Sequence, residues 1–314
     1  MRRFYYQLIN FLARTLGTWV FSIFIWPITT AFFVFFPKRV AHGLRFYGVL
    51  FPDRSRFYHL RCVWRQYHNF SRLFVDRFLL HENGELSYTS EGWEYIKEAV
   101  DERSGGILLM SHMSNWEMAA GLLTQKTPGL RLLLYMGRKH KEKTGAFIKS
   151  GLSRTGIRIV AVDPEGGSAL EIIEGINFLR EGGLISLTGD RPWSGKERTV
   201  PVRFLGHEAH LLEAPHVIAL LSGAPIFHFF AFRSGPRQYH FFITKPIHVK
   251  AASRADRKTA IRQSAQRYAD HMEQMLRRHP LEWYNFDVFL GRKLTNDNNL
   301  TSEPESRDLL YKQK

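Results

Sequence analysis

The chain has 314 residues, of which 44% are hydrophobic and 23% are charged. This ordinary balance excludes a disordered or fibrous protein, and the length allows one large domain or two of modest size. Lys and Arg outnumber Asp and Glu by 44 to 29, which gives a formal net charge of +15. Most of the excess positive charge lies within residues 1–80. A basic region of this kind favours binding to nucleic acid or to an anionic membrane surface.

An uncharged segment rich in Phe, Ile, Val and Trp separates Arg14 from Lys38. It is longer than the ~20 apolar residues that a transmembrane helix needs, and it lacks the short apolar core of a secretory signal. Pro27, near its middle, would kink a helix, and basic residues flank both ends. We therefore predict that residues 1–37 form a membrane anchor, which either spans the bilayer or lies in its interface. The alternative is a buried core helix.

Residues 38–103 form a basic and aromatic region that we predict to be helical. Apolar positions follow helical spacing up to about residue 80, and Pro52-Asp53 interrupts the pattern, which predicts two helices. Arg and aromatic side chains alternate over much of this region. Such a surface suits the headgroup layer of a membrane, with cations outward and rings inward. The alternative is a pair of solvated helices packed on the rest of the protein.

From about residue 104, short apolar runs alternate with helical segments, which is typical of an α/β fold with a largely parallel sheet. The predicted strands are Ile107–Met110, Leu132–Tyr135, Ile157–Val162, Leu184–Leu187, Ile226–Phe232 and Tyr239–Thr244. The predicted helices are Asn115–Leu123, Ser168–Arg180, Ala214–Leu221 and Arg257–Arg278. We therefore expect a mixed, largely parallel sheet flanked by helices over residues 104–295, followed by a polar tail at 296–314.

His112 is the strongest candidate for a catalytic side chain. It follows the predicted strand Ile107–Met110, and ligands of open α/β sheets gather beyond the carboxyl ends of the strands. Glu117 lies on the first turn of the next predicted helix, where a carboxylate could fix the tautomer of the imidazole and support its protonation. The pair has the components of a general-base dyad. The alternative is a capping box, in which Glu117 bonds the backbone of Ser114.

Several common catalytic patterns are missing from the sequence. It contains no P-loop, no G-x-S-x-G elbow, no H-E-x-x-H motif and no G-x-G-x-x-G loop. Cys62 is the single cysteine, so the chain has no intramolecular disulfide and no Cys/His cluster with zinc-ligand spacing. The sequence therefore predicts no metal site, and it favours a catalytic part that faces the cytoplasm.

Four blocks of the sequence resemble the lysophospholipid acyltransferase superfamily. The first, SHMSNWEMAAGLL (111–123), resembles the H-x4-D/E block of that superfamily. Its form is similar to that of the late, lauroyl- or myristoyl-type acyltransferases of lipid A biosynthesis and of the mycobacterial phosphatidylinositol mannoside acyltransferases. The other blocks, one of which contains Gly189-Asp190-Arg191, occur in the family's order at residues 187–209, 223–233 and 279–289.

The resemblance implies a membrane-associated O-acyltransferase with a glycerol-3-phosphate acyltransferase-like fold. It implies that His112 is the general base and that Glu117 orients it. Arg191 would bind a phosphate of the acceptor or the donor, because a guanidinium matches that group. Asp190 would hold Arg191 or the acceptor headgroup. The substrate-binding candidates are Asp190, Arg191, Arg154 and Asn115.

The donor implied by the resemblance is an acyl thioester of acyl carrier protein or coenzyme A, and no other cofactor is implied. The implied acceptor is a hydroxyl of a membrane lipid, with a lipid A precursor as the leading candidate, at the inner (cytoplasmic) membrane of a bacterium. Two alternatives stay open: an acyltransferase that acts on a phospholipid or an aryl polyene-type lipid, and a non-catalytic protein that binds anionic lipid. Nucleic acid is disfavoured as a partner because long apolar runs interrupt the basic residues.

Overall fold

The computed structural model describes residues 19–81, 87–113, 127, 129–137, 157–162, 169–192, 197–235 and 238–294. The chain divides into two compact units. A helical unit comprises residues 1–86 and 279–287, and an α/β unit comprises residues 87–278 and 288–314. Residues 87–103 therefore belong to the α/β unit, and the segment 279–287 belongs to the helical unit. The predicted tail at 296–314 lies outside the described residues.

Three helices build the described part of the helical unit: α1 (Trp19–Phe35), α2 (Pro37–Leu50) and α3 (Arg56–His81). The predicted break at Pro52-Asp53 is confirmed, because α2 ends before it and α3 begins after it. Pro27 lies inside α1. Pro37 is the first residue of α2, where a backbone N–H would have no partner within the helix, so a proline is tolerated there. Among the described residues, no helix is both long and apolar enough to cross a membrane.

Close backbone packing and buried aromatic rings stabilise the helical unit. At Gly43 of α2, an added Cβ would lie only 2.8 Å from Cγ2 of Val63 on α3. The Trp283 ring is buried, with its centroid 5.2 Å from that of Phe46. Tyr47 is also fully buried, and its hydroxyl donates a hydrogen bond to the backbone carbonyl of Pro280 over 2.9 Å. The aromatic segment near the C-terminus therefore contributes to the core of this unit.

Nine strands are described in the α/β unit. They are β1 (Ser87–Glu91), β2 (Gly106–Met110), β3 (Leu132–Gly137), β4 (Ile157–Val162), β5 (Leu184–Thr188), β6 (Thr199–Phe204), β7 (His207–Leu212), β8 (Ile226–Gly235) and β9 (Gln238–Ile243). Seven of them form one sheet in the order β1-β9-β8-β2-β5-β3-β4, and β6 and β7 form a separate hairpin. Within the large sheet only β8 and β9 pair antiparallel. The prediction of a mixed, largely parallel sheet is confirmed.

Helices flank this sheet, as predicted. The described helices of the unit are α4 (Trp93–Asp101), α5 (Ala169–Arg180), α6 (Ala214–Ser222) and α7 (Arg257–Arg278). The central helix α6 contacts both α5 and α7, and α7 also contacts β6 and β8. Strand β2 is buried at every position, which is usual for a parallel strand covered on both faces. The helix predicted at Asn115–Leu123 lies outside the described residues.

Two features of the unit are not among the predicted elements. Strand β1 (SYTSE) has no apolar alternation because it is an edge strand that is exposed at most positions. The β6–β7 hairpin turns through Leu205 and Gly206, whose φ angles are 51° and 72°. Positive φ at both residues is what a tight two-residue hairpin turn requires, so Gly206 was the available sequence signal.

Candidate active site

His112 and Asp190 lie at the carboxyl edge of the large sheet, just beyond two neighbouring parallel strands. β2 and β5 pair in a register that sets Met110 opposite Thr188, the last residue of each strand. The Gly189 N–H donates a hydrogen bond to the carbonyl oxygen of Met110 over 2.9 Å, so the pairing continues past the end of β5. His112 follows Met110 by two residues, and Asp190 follows Gly189 directly. This pairing brings the two side chains together.

One carboxylate holds His112 through two hydrogen bonds. The His112 backbone N–H donates to Oδ2 of Asp190, and the ring Nδ1–H donates to Oδ1, each over 2.8 Å. Asp190 is fully buried, whereas 20% of the His112 side chain is exposed. A charge-assisted bond of this kind fixes the orientation of the ring and the nitrogen that carries its proton. The carboxylate therefore holds His112 in place, and part of the His112 side chain remains exposed.

Arg191 faces the other nitrogen of the same ring. Its Nη2 lies 3.3 Å from Nε2 of His112. A guanidinium can only donate hydrogen bonds, so this contact requires that Nε2 carries no proton. The bond from Nδ1–H to Asp190 leaves Nε2 as the ring nitrogen that could accept a proton. This arrangement is the one that a general base needs.

Small residues allow the two strand ends to approach closely. An added Cβ at Gly189 would lie 2.7 Å from Cδ1 of Leu109 and 2.9 Å from Cε1 of Tyr268, so a larger residue would displace these side chains. Directly after β2, the buried Ser111 hydroxyl accepts a hydrogen bond from the Met113 N–H over 3.2 Å and turns the chain. Tight packing on both sides therefore fixes the backbone that carries the catalytic candidates.

A family model for bacterial lipid A biosynthesis acyltransferases matches residues 11–288 of the chain. The chain belongs to this family. The match includes His112, Asp190 and Arg191, and it confirms the acyltransferase family that the sequence blocks indicate. Membership implies an acyltransferase enzyme, of the EC 2.3.1 type. A search of the curated proteins finds no significant match.

In this lipid A-type acyltransferase, the structure brings together three of the six site residues named from the sequence: His112, Asp190 and Arg191. The other three, Glu117, Asn115 and Arg154, lie outside the described residues. The sequence does not predict the bond between Asp190 and His112. Each of the two residues follows a buried strand, but nothing in the sequence shows that β2 and β5 are neighbours.

The acyltransferase has a second pair of a histidine and a carboxylate, on its hairpin. His210 Nε2 lies 3.3 Å from Oε1 of Glu208, with 37% and 21% of the two side chains exposed. Glu208 also bonds Nε of Arg292 through its other oxygen over 2.8 Å. Asp190 at the sheet edge and Glu208 on the hairpin each bond one histidine. In the described part of the chain, no group of three or more His, Cys, Asp or Glu could hold a metal ion.

Proposed function

We propose that this enzyme moves a fatty acyl chain from a thioester donor, either acyl carrier protein or coenzyme A, to a hydroxyl of a lipid acceptor. The proposed acceptor is a lipid A precursor or a related glycolipid, as in the late-type branch that the sequence resembles. The observation that carries the proposal is the His112 ring, which is bonded through Nδ1 to buried Asp190, faces Arg191 with Nε2 and is partly exposed.

In this proposal His112 is the general base. Its Nε2 removes the proton of the acceptor hydroxyl while the hydroxyl oxygen attacks the thioester carbonyl carbon. A C–O bond forms, and the carbonyl electron pair moves onto oxygen to give a tetrahedral oxyanion. Collapse of this intermediate breaks the C–S bond, and the leaving sulfur takes the proton from Nε2. The products are an ester and a free thiol, and the ring returns to its starting tautomer.

Asp190 supports both proton transfers. While Nε2 holds the proton the ring is a cation, and the carboxylate 2.8 Å from Nδ1 offsets that charge. The interaction is stronger than at the surface because Asp190 is shielded from water. Asp190 therefore has the orienting role in this mechanism. Glu117, the acidic residue of the H-x4-E block, is proposed as a second carboxylate whose negative charge also offsets the protonated His112 ring.

Arg191 supplies positive charge beside the reacting atoms. Because its Nη2 lies 3.3 Å from Nε2 of His112, a hydroxyl docked on Nε2 would also lie close to the guanidinium. A guanidinium fork matches a phosphate group, so we propose that Arg191 binds a phosphate of the acceptor or the donor. Asn115 and Arg154 are proposed as further contacts to the substrates.

We propose that the enzyme works at the inner membrane of a bacterium, with its catalytic part facing the cytoplasm. Support comes from the large apolar side chains that α1 exposes, namely Ile23, Trp26, Ile28, Phe32, Val34 and Phe35. Several large exposed apolar side chains on one helix are typical of contact with a membrane or another protein. The exposed cations Lys38 and Arg39 follow directly and would attract anionic headgroups.

Acyl transfer by the purified protein in lipid vesicles tests the proposed function. A labelled acyl chain is supplied as the carrier-protein thioester or the coenzyme A thioester, with a lipid A precursor as the acceptor. We expect His112→Ala to lower the transfer rate about 10³-fold, because the general base is lost. The matched control is His210→Ala, which removes the histidine of the hairpin pair and should keep the wild-type rate.

Wild-type turnover by the His112→Ala variant, with a native circular dichroism spectrum, would contradict the base role. If the wild-type protein transfers no acyl chain from either donor but binds anionic vesicles, the non-catalytic lipid-binding alternative is favoured. Lipid mass spectrometry of a deletion strain, complemented with wild type or His112→Ala, identifies the acceptor. A change in acyl number confined to phospholipids would overturn the choice of a lipid A precursor.

A further inference from the structure

We infer that Tyr268 is a positioning residue for the His112–Asp190 pair, an inference that rests on the proposed function. Tyr268 lies on α7, remote in sequence from both residues, and its side chain is fully buried. Its hydroxyl donates a hydrogen bond to the carbonyl oxygen of Met110 over 2.7 Å. Met110 is the last residue of β2, two positions before His112. Tyr268 therefore holds the strand end that carries the proposed base.

The carbonyl oxygen of Met110 is the point where the two strand ends meet. It accepts one hydrogen bond from the Tyr268 hydroxyl and another from the Gly189 N–H, over 2.7 and 2.9 Å. Gly189 directly precedes Asp190, so this one oxygen links the backbone that leads to the base with the backbone that leads to its acid. A carbonyl oxygen has two lone pairs, and both are used here.

The ring of Tyr268 also touches the second strand end. An added Cβ at Gly189 would lie 2.9 Å from Cε1 of Tyr268, so ring and backbone are in close contact. Burial raises the pKa of the Tyr268 phenol well above its usual value, and the nearby Asp190 carboxylate raises it further. The phenol is therefore neutral and keeps the proton that it donates to Met110.

Tyr268 does not bond the His112 ring, and in this inference it takes no proton from the substrate. It acts through the backbone, by keeping His112 and Asp190 at the separation that gives two hydrogen bonds of 2.8 Å. Catalytic groups depend strongly on position, and small displacements by a residue outside the chemistry lower the rate. Loss of the Tyr268 hydroxyl should therefore slow the chemical step and leave substrate binding nearly unchanged.

The test compares Tyr268→Phe with Tyr47→Phe, in the full chain. Tyr47 is the matched control because it is also fully buried and its hydroxyl donates to a backbone carbonyl, that of Pro280, in the helical unit. We expect Tyr268→Phe to lower kcat about 3- to 10-fold, while KM for both substrates changes less than about twofold. Tyr47→Phe should leave kcat at the wild-type value. We expect this difference in kcat between the two variants even if their melting temperatures are equal.

A spectroscopic readout separates positioning from a general loss of stability. The proton on Nδ1 of His112 is bonded to a carboxylate and should give a downfield proton resonance, assigned by its loss in His112→Gln. We expect this resonance to shift in Tyr268→Phe and to stay unchanged in Tyr47→Phe. An unchanged resonance together with wild-type kcat in Tyr268→Phe would overturn the inference.

A second variant keeps the inference testable where Tyr268→Phe does not fold. Gly189→Ala places a methyl group too close to the Tyr268 ring, so the ring or the backbone must move. This variant should therefore also lower kcat and shift the His112 resonance. Wild-type behaviour of a folded Gly189→Ala would overturn the inference. The outcome is distinct from failure of the proposed function, which would appear as full activity of His112→Ala.

Discussion

Two sets of histidines in the α/β unit, His112 on the one hand and His216 and His228 on the other, use the same side chain differently. At the carboxyl edge of the sheet, His112 bonds the buried carboxylate of Asp190 and keeps part of its ring exposed. The fully buried ring of His216, on α6, bonds the hydroxyl of Ser264, on α7, over 2.8 Å. The buried His228 bonds another histidine, His271, through the Nδ1 atoms over 2.7 Å. Among the described residues, no ion pair joins His216 or His228 to a carboxylate.

The difference lies in what offsets a positive charge on the ring. Burial lowers the pKa of His216 to about 3. The pKa of His228 lies well below its usual value, mainly because of burial and to a smaller extent because of the nearby His271 and His216. These rings are neutral because an imidazolium without a partner is unfavourable away from water. At His112 the carboxylate supplies the opposite charge. A carboxylate beyond the end of the neighbouring strand, together with partial exposure, therefore distinguishes His112 from His216 and His228.

The largest expected effect comes from removing the acid of the edge pair. Asp190→Asn keeps the shape of the side chain but loses the negative charge that would offset a protonated His112. We expect kcat to fall about 10²- to 10⁴-fold, as for loss of general-base assistance. Steady-state acyl transfer measures the effect, with near-ultraviolet circular dichroism as the control for folding. A folded variant with kcat within a few-fold of wild type would show that the buried carboxylate does not distinguish His112 from the other histidines.

The next effect concerns stability rather than catalysis. In the unfolded chain His216 binds a proton as the pH falls below about 6.5, whereas the folded protein excludes that proton down to a pH of about 3. The stability due to the neutral buried ring is therefore complete above about pH 6.5 and is lost as the pH falls toward about 3. The free energy of unfolding should decrease by up to ~1.4 kcal/mol per pH unit in this range from His216 alone.

Replacing His216 with Gln tests whether this histidine makes the free energy of unfolding decrease as the pH falls. Gln keeps a polar group near the Ser264 hydroxyl but cannot titrate, so the free energy of unfolding should depend less steeply on pH below about 6.5. Denaturant unfolding measured at a series of pH values between about 8 and 4 gives the slope. A slope equal to that of wild type would mean that the ring of His216 is already protonated in the folded protein, and the two groups of histidines would no longer differ.

Much of the fold is predictable because its elements carry apolar runs or helical periodicity in the sequence. β4 and α7 have the bounds predicted from apolar runs and helical periodicity, Ile157–Val162 and Arg257–Arg278. β1 escapes prediction because its sequence, SYTSE, is polar and mostly exposed at the edge of the sheet. Local patterns identify elements with an apolar run or an apolar face, and they miss an edge strand whose sequence is mostly polar.

The candidate site divides in the same way. His112 is predictable because it follows an apolar strand, whereas Asp190 and Arg191 are predicted from the resemblance of their sequence block to the acyltransferase family. Their bonds to one another depend on β2 lying beside β5, although β3 and β4 lie between them in the sequence. The contact of Tyr268 depends on which residue of α7 faces Met110, which is set by how the helix packs on the sheet. Strand order and helix placement arise from packing of the whole unit, so a single sequence does not reveal them.

The smallest effect is expected at the hairpin, where His210 and Glu208 form a pair of similar composition in a different setting. Both side chains are partly exposed, so water and salt screen their attraction, and such pairs contribute ~0–1 kcal/mol to stability. We expect Glu208→Gln to change kcat by less than about twofold and to lower the melting temperature by at most about 4 °C. The acyl-transfer assay and thermal denaturation at low and high salt measure both. A loss of activity as large as that of Asp190→Asn would mean that burial of the acid at the sheet edge does not decide which histidine is the base.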